Sequence, residues 1–186
     1  MIRTKEDWII AGINILAEKG INSVKVEAIA RKLNVTKGGF YGYFLNRDAF
    51  LQAMLDYWIE IHSSSIIDTV NSLKGTVSKK LLKLFSIVDD HKYDDLEISM
   101  IDWANKDKKA ESVVMKVIKE RLFFLCNLFR EGGFSKNEAS KRAHLVHHYI
   151  AGCRCYRPLL PKCNSPKRQA QLDHLIRLVT APTEKS

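Results

Sequence analysis

No stretch of the sequence approaches the about 18 consecutive apolar residues that a membrane-crossing helix needs, which argues against a transmembrane protein. Residues 1–20 set Lys5, Glu6, Asp7, Glu18 and Lys19 around an apolar stretch of about ten residues, and this is not the layout of a secretory signal. The expected compartment is therefore the cytoplasm, with no membrane partner. Cysteine is scarce: Cys126, Cys153, Cys155 and Cys163 are expected to be thiols in that compartment, not a disulfide framework. Alternating apolar and polar runs with hairpin turns are missing, and so are repeats and low-complexity linkers. There is no phosphate-cradling glycine loop, no G-x-S-x-G and no H-E-x-x-H. The acidic cluster Asp89, Asp90, Asp94, Asp95 and Glu97 has no partner base and reads as a solvated loop. An enzyme is not expected, and no cofactor is implied.

What is present is helical periodicity along almost the whole chain. Trp8, Ile9, Gly12, Ile15 and Leu16 form one stripe over residues 5–19, and Gly20 stops the helix. Val26, Ile29, Ala30 and Leu33 repeat the stripe over a second, short helix. A long helix is predicted from the N-cap Asn46 towards residue 71, through Phe50, Met54, Trp58 and Ile61. Beyond Gly75 come helices with Val77, Leu81, Leu84 and Val88; with Ile98, Ile101 and Trp103; and over 108–131, ending at "REGGFS". Ser135 and Glu138 predict a capping box for the next helix, and Pro166 opens the last. The fold class is all-α with about nine helices, divided into residues 1–46 and residues 47–186.

The net charge of +9 suggests a polyanionic partner. Most of it lies in residues 116–186, which hold 14 basic and 5 acidic residues. A second basic patch is local: Lys19 to Arg47 holds six basic residues against Glu27. Within that patch lies "TKGGFYGYF", residues 36–44, with three glycines and four aromatics. Glycine costs roughly 1 kcal/mol inside a helix, so the combination needs a reason. Two short helices around a tight turn on a basic patch are the ingredients of a helix-turn-helix. Ala30 is small where the helices cross, Asn34 tolerates the left-handed turn, Val35 plugs it and Thr36 caps the second helix. Phe40 and Phe44 then face the core at i, i+4, while Lys37, Gly38 and Tyr41 face outward, the glycine letting backbone approach a groove.

This N-terminal pattern resembles the tetracycline-repressor (TetR) family of bacterial transcriptional regulators. The resemblance rests on Gly20, Ile29-Ala30, "VTKGGFYGYF" and Asn46-Arg47, about forty residues in register. It extends, less distinctly, through "DWANKD", "RLFFLCNLFREGGFSKNEASKRA" and "YIAG". It implies DNA contacts by Lys37 and the Gly38 backbone, with Thr36 and Gly39 beside them, and phosphate contacts by Tyr41, Tyr43 and Arg47. Three positions depart from the pattern: Tyr43 replaces the usual histidine, Gly42 a bulky residue, and Lys25 the threonine that caps the second helix, though Lys25 is itself a phosphate-binding candidate. The resemblance further implies a homodimer through the last two helices, a double-stranded operator, and a small-molecule effector entering the bundle to release DNA. Trp103, Phe124 and His147 are the pocket candidates, though plain core is the simpler reading of each.

One other cluster carries chemistry. His144, His147 and His148 lie within a helical turn, followed by Cys153, Cys155 and Cys163. Imidazoles and thiols are zinc or copper ligands, and Arg154 and Arg157 would favour a thiolate, so a metal- or redox-sensing regulator is an alternative. The spacing matches no structural zinc pattern, C-x-C on a helix splays its side chains, and ordinary packing on a dimerisation helix accounts for the same residues. A nonspecific DNA-coating protein would use the same basic charge.

Overall fold

The computed structural model describes residues 3–88, 94–156 and 165–182. Among these residues every regular element is helical. The helices are α1 (Lys5–Lys19), α2 (Val26–Leu33), α3 (Gly38–Tyr41), α4 (Arg47–Ile59), α5 (Ser65–Asn71), α6 (Val77–Val88), α7 (Asp94–Ala104), α8 (Lys108–Glu131), α9 (Lys136–Cys155) and α10 (Pro166–Thr180). Only a π-helical turn, Glu60–Ser64, separates α4 from α5, and counting the three as one long helix gives the expected nine.

Most helix ends follow from local chemistry. The Thr4 hydroxyl accepts the Asp7 N–H at 3.1 Å and the Asp7 carboxylate accepts the Thr4 N–H at 2.7 Å, a complete capping box. Those bonds hold the Asp7 carboxyl below its ordinary range, the Thr4 N–H contributing most. Asn46, Asp107, Ser135 and Ser165 cap α4, α8, α9 and α10 through side-chain oxygens. The Glu138 carboxylate, expected to close a box on Ser135, pairs instead with Lys141 at 3.1 Å and Arg142 at 3.5 Å. Cations one turn along the helix outcompete a backbone N–H for it. The glycine stops are also as expected: Gly20 has φ 73° and donates to Leu16 O, and Gly133 has φ 90° at the end of α8.

The chain forms two compact units, Met1–His62 with Asp95–Lys116, and Ser63–Asp94 with Val117–Ser186. In the first, α1 packs on α2 and α4 around Trp8, Leu16, Ile29, Phe40, Met54 and Met100, none more than 1% exposed. The boundary at residues 46 and 47 falls within this unit, because α4 supplies Phe50 and Met54 to the core that α1 and α3 share. In α7 the buried stripe is Leu96, Met100 and Trp103, whereas the expected Ile98 and Ile101 are each 43% exposed. Two apolar stripes fit the same helix, and i, i+4, i+7 is the one that meets the core. Of the acidic cluster, Asp94 and Asp95 open α7, while Asp89 and Asp90 lie outside the described residues.

The second unit packs α6 against α5 and α10 around Val70, Leu81, Phe85, Leu125, Phe129 and Ile176. The buried Arg168 guanidinium on α10 donates to the half-buried Tyr149 hydroxyl on α9 at 2.9 Å, joining these two helices through a polar bond. No described helix is long and apolar enough to cross a membrane.

Gly12 gives the fold a sharp test. A Cβ there would lie 2.6 Å from Phe50 Cζ and 2.9 Å from Met54 Sδ, and both side chains are fixed in the core. Gly12→Ala gains about 1 kcal/mol of helix propensity but overpacks at a cost of about 1–3 kcal/mol. Net destabilisation in urea unfolding is the expected outcome, against the usual direction of a glycine-to-alanine change in a helix.

Candidate nucleic-acid interface

The Lys25–Phe44 segment is two short helices around one left-handed residue. Asn34, φ 55° and ψ 50°, is the one described non-glycine residue with positive φ. Its N–H reaches Arg31 O at 3.2 Å, and Val35 N–H reaches Ala30 O at 3.0 Å, the paired bonds of a Schellman turn. That turn redirects the chain into α3.

A four-residue helix is far below the length that is stable alone. Its aromatic residues hold it in place. Phe40, fully buried, packs its ring 5.6 Å from Trp8 of α1, 5.4 Å from Phe50 of α4 and 5.1 Å from Phe44, and Phe44 lies 4.9 Å from Phe50. Edge-to-face pairs at these separations add to simple burial. Thr36, expected to cap α3, does not: the N-cap position is Lys37, with no side-chain cap bond, and Thr36 contributes its carbonyl to Gly39 N–H at 3.2 Å. The N-cap position is itself already helical, φ −56° and ψ −31° at Lys37, not the extended geometry of a side-chain cap. Lys25 precedes α2 and provides no side-chain cap there.

The opposite side of this unit is exposed: Lys25, Thr36, Lys37, Gly38, Gly39, Tyr41, Tyr43 and Arg47 are all open to solvent, Tyr41 at 57%. Their bonds differ. Lys37 pairs with Glu27 of α2 at 2.5 Å. Arg47 Nε donates to Val24 O at 3.4 Å, bracing the entry to α2. The Tyr43 hydroxyl, assigned to phosphate by the resemblance, donates here to the Arg3 carbonyl, while Arg3 Nε donates to Leu33 O at 3.2 Å. Arg3 thereby links the N-terminal segment to the ends of α2 and α3. Sequence reasoning passed over it because nothing in the order of residues brings position 3 beside position 43.

The glycines have no internal necessity. Gly38, Gly39 and Gly42 all lack positive φ, Gly42 lying at −72°. A Cβ on Gly38 would meet only Thr36 Oγ1 at 3.8 Å, one on Gly39 would make ordinary contact with Trp8 at 3.6 Å, and one on Gly42 would approach Gly39 O at 3.5 Å. The fold would accept alanine at each.

The pocket candidates are divided between the two units, Trp103 in the first and Phe124 and His147 in the second. Trp103, 2% exposed, is in the first unit beside a recess of about 220 Å³ with Leu51, Leu55 and Asp107 on its walls. Phe124 belongs to the core of the second unit, and His147 is half-buried on α9. The His144 and His148 rings lie 6.1 Å apart and those of His147 and His148 5.8 Å, with His144 Nδ1 2.8 Å from Ser140 O. Cys126, Cys153 and Cys155 are thiols, whereas Arg157 and Cys163 lie outside the described residues. No group of three or more His, Cys, Asp or Glu among the described residues is arranged to hold a metal ion.

A left-handed turn between two short helices, the second pinned by buried aromatics and edged with exposed cations and hydroxyls, defines a helix-turn-helix domain on a chain whose described elements are all helical. Over residues 9–54 the chain matches the sequence pattern of the tetR family of bacterial regulatory proteins. The Bacillus subtilis (strain 168) protein YuxN, an uncharacterized HTH-type transcriptional regulator, is 32% identical over 95 residues, 49% of this chain and 33% of that protein. Its counterpart YwcC from the same organism is 40% identical over 53 residues, 28% of this chain and 24% of that protein. The chain thus spans about a third, or less, of the length of the curated relatives it matches. Among solved structures, the reduced form of E. coli NemR is similar with a TM-score of 0.74 at 15% identity, over 95% of this chain and 96% of that one. FadR from Bacillus subtilis, in complex with stearoyl-CoA, gives 0.69 at 17% identity, over 97% and 100%. At such identities the likeness is one of fold.

The turn can be tested at Asn34 by chemical denaturation. Asn34→Ala forces a Cβ residue without a local hydrogen-bonding side chain into αL geometry and should cost about 1 kcal/mol. Asn34→Gly accepts that geometry freely and should remain within about 0.5 kcal/mol of the parent. Equal losses in both would show that the Asn34 side chain, not its backbone, carries the turn.

Proposed function

We propose that this chain is a ligand-responsive, DNA-binding transcriptional regulator that grips a near-palindromic operator as a homodimer and is released by a small-molecule effector, acting as a repressor. The observation that carries the proposal is the run of exposed glycines at α3. Each costs helix stability, and none is needed for backbone conformation or for internal space. Their smallness has a use outside the chain, where a groove must come close to backbone N–H groups.

Residues 1–46 then act as the reading head and residues 47–186 as the ligand-binding and dimerisation part. Lys37 and the Gly38 backbone meet base edges or adjacent phosphates, with Thr36 and Gly39 beside them. Tyr41, Tyr43, Lys25 and Arg47 serve phosphates, Tyr43 exchanging its bond to Arg3 for one to DNA. Phosphate contacts position the head and base contacts select the sequence. Two heads in a dimer would stand about 34–36 Å apart, one turn of the duplex. Exposed Leu145 on α9 and Leu178 on α10, 54% and 57% accessible, support pairing through the last two helices. The effector proposed is amphipathic and anionic, in keeping with the basic excess of residues 116–186 and with the stearoyl-CoA held by the Bacillus subtilis FadR of the same fold. Trp103, Phe124 and His147 remain the residues proposed to sense it. Release requires that the effector prefer the conformation that does not hold DNA. Nothing in this activity requires catalysis, and the cytoplasm is its proposed compartment.

Gel shift on the DNA upstream of the coding region, with excess random DNA at physiological salt, tests the proposal. Lys37→Ala and Tyr41→Ala should both lose specific retention; only Lys37→Ala should flatten the log–log salt dependence, by about 1 where a phosphate contact is lost, because the tyrosine hydroxyl is neutral and releases no counterion. Gly38→Ala is the most discriminating variant: it should leave the thermal midpoint unchanged or higher yet weaken operator binding at least about fivefold, the low end of a lost base contact. Binding indifferent to sequence and to all three changes would move the function to the basic C-terminal region, as a DNA-coating protein would have it. Leu145→Asp combined with Leu178→Asp should shift the protein from dimer to monomer in sedimentation without unfolding it, since both side chains are already exposed.

A further inference from the structure

The lysine at the centre of the interface is already engaged. Lys37 Nζ lies 2.5 Å from Glu27 Oε1, with side-chain exposures of 52% and 58%. Glu27 occupies the first turn of α2 and is the one acid between Lys19 and Arg47, a span that holds six bases. The pair is mutual: Glu27 raises the lysine above its ordinary range, and Lys37 is the chief reason the Glu27 carboxyl falls below its own, with Lys25 adding a lesser pull.

The one acid in a span with six bases opposes the nonspecific attraction to which those bases contribute. Generic DNA binding is driven by cations that neutralise phosphates and release their counterions. A lysine held by a carboxylate brings no net charge to that exchange, and the carboxylate itself meets the phosphates as a like charge. At an operator the account differs, because Lys37 gains base-edge hydrogen bonds that generic backbone contact does not provide. Specificity is a difference of affinities, and a group that penalises the wrong partner more than the right one raises it.

From this geometry we infer that Glu27 is a specificity-determining residue of the interface: it withholds Lys37 from generic phosphate and yields it at the operator, which presupposes the DNA-reading role given to Lys37 above. The exposed pair is weak enough to open on binding. Glu27 is no phosphate ligand and no core residue. Its other plausible role is local, as an acid favoured by the N-terminus of α2, and that role is independent of Lys37.

The full-length protein is titrated onto the operator duplex found by gel shift and onto a random duplex of equal length, across a salt series, by fluorescence anisotropy. The proteins compared are the parent, Glu27→Gln, Lys37→Gln and the double variant. Glu27→Gln should bind random DNA about two- to fivefold more tightly, the range expected for releasing an exposed ion pair. Its salt slope should steepen by about one, its operator affinity should rise by less, and the ratio of the two affinities should fall. In the Lys37→Gln background the same change should gain less, since only the carboxylate's own repulsion of phosphate is then relieved and no lysine is released. Random-DNA affinity unchanged by Glu27→Gln, or raised equally in both backgrounds, would overturn the inference, since Glu27 would then be silent or a bare surface charge. An affinity ratio that fails to fall would overturn it as well. If Lys37→Gln alone leaves operator binding intact, the DNA-reading role of Lys37 fails and the inference falls with it, a result distinct from a Glu27 failure with Lys37 sound.

Discussion

The burial of the Phe40 ring is the contact on which the first compact unit depends. α3 has one turn and no side-chain cap, so neither propensity nor capping stabilises it. What fixes it is a cage drawn from three directions: Trp8 from α1, Phe50 from α4, and Phe44 from the chain just beyond α3. Phe50 in turn seats against Gly12, where no Cβ could stand. The mutual positions of α1, α3 and α4 are thus solved together, and an outward-facing helix of nearly bare backbone is tolerated because its inward face is so firmly held.

The aromatic and glycine residues of "TKGGFYGYF" therefore divide the work. An aromatic-poor segment with these glycines would have no reason to be helical, and an aromatic segment without them would present side chains where the backbone is now open. The charges around it are similarly restrained. Lys32 is paired with Glu18 at 2.9 Å and Lys37 with Glu27, so the basic patch seen in the sequence is less free than a count of lysines implies. Exposed pairs of this kind add little to stability. Their consequence is for which cations are available to a polyanion and at what cost.

Much of this was legible before any coordinates, for identifiable reasons. Gly20, Asn34, Asn46, Ser135 and Pro166 announce helix boundaries because each satisfies a backbone requirement that few residue types meet. Phe40 and Phe44 could be assigned to the core because i, i+4 aromatics beside an apolar stripe leave one consistent register. Periodicity failed where two registers competed, as in α7, in which Ile98 and Ile101 make as good a stripe on paper as Leu96 and Met100. It was also blind to the π turn at Glu60–Ser64, since the expected stripe has only Ile61 beyond Trp58 from which a change of phase could be read. Side-chain partners between exposed groups were the least legible. The Lys37–Glu27 pair joins two helices across the turn, and the Tyr43–Arg3 bond spans 40 residues.

Tyr43 shows how a departure from the family pattern is absorbed. A histidine at this position has two ring nitrogens close to the backbone, whereas a tyrosine carries its hydroxyl several ångströms further out and cannot become cationic near neutral pH. That added reach lets the hydroxyl donate to the carbonyl of Arg3, whose guanidinium bonds the end of α2. The substitution thus exchanges a titratable group for a fixed neutral donor, and it ties down a residue carrying a permanent positive charge beside the turn. Gly42, the neighbouring departure, leaves room at the same edge without demanding a special conformation, with φ −72° and ψ −20°. Taken together, the two changes leave one neutral, already engaged hydroxyl and one bare backbone position just beyond α3, so the exposed side-chain charge on this segment is that of Lys37 at its start.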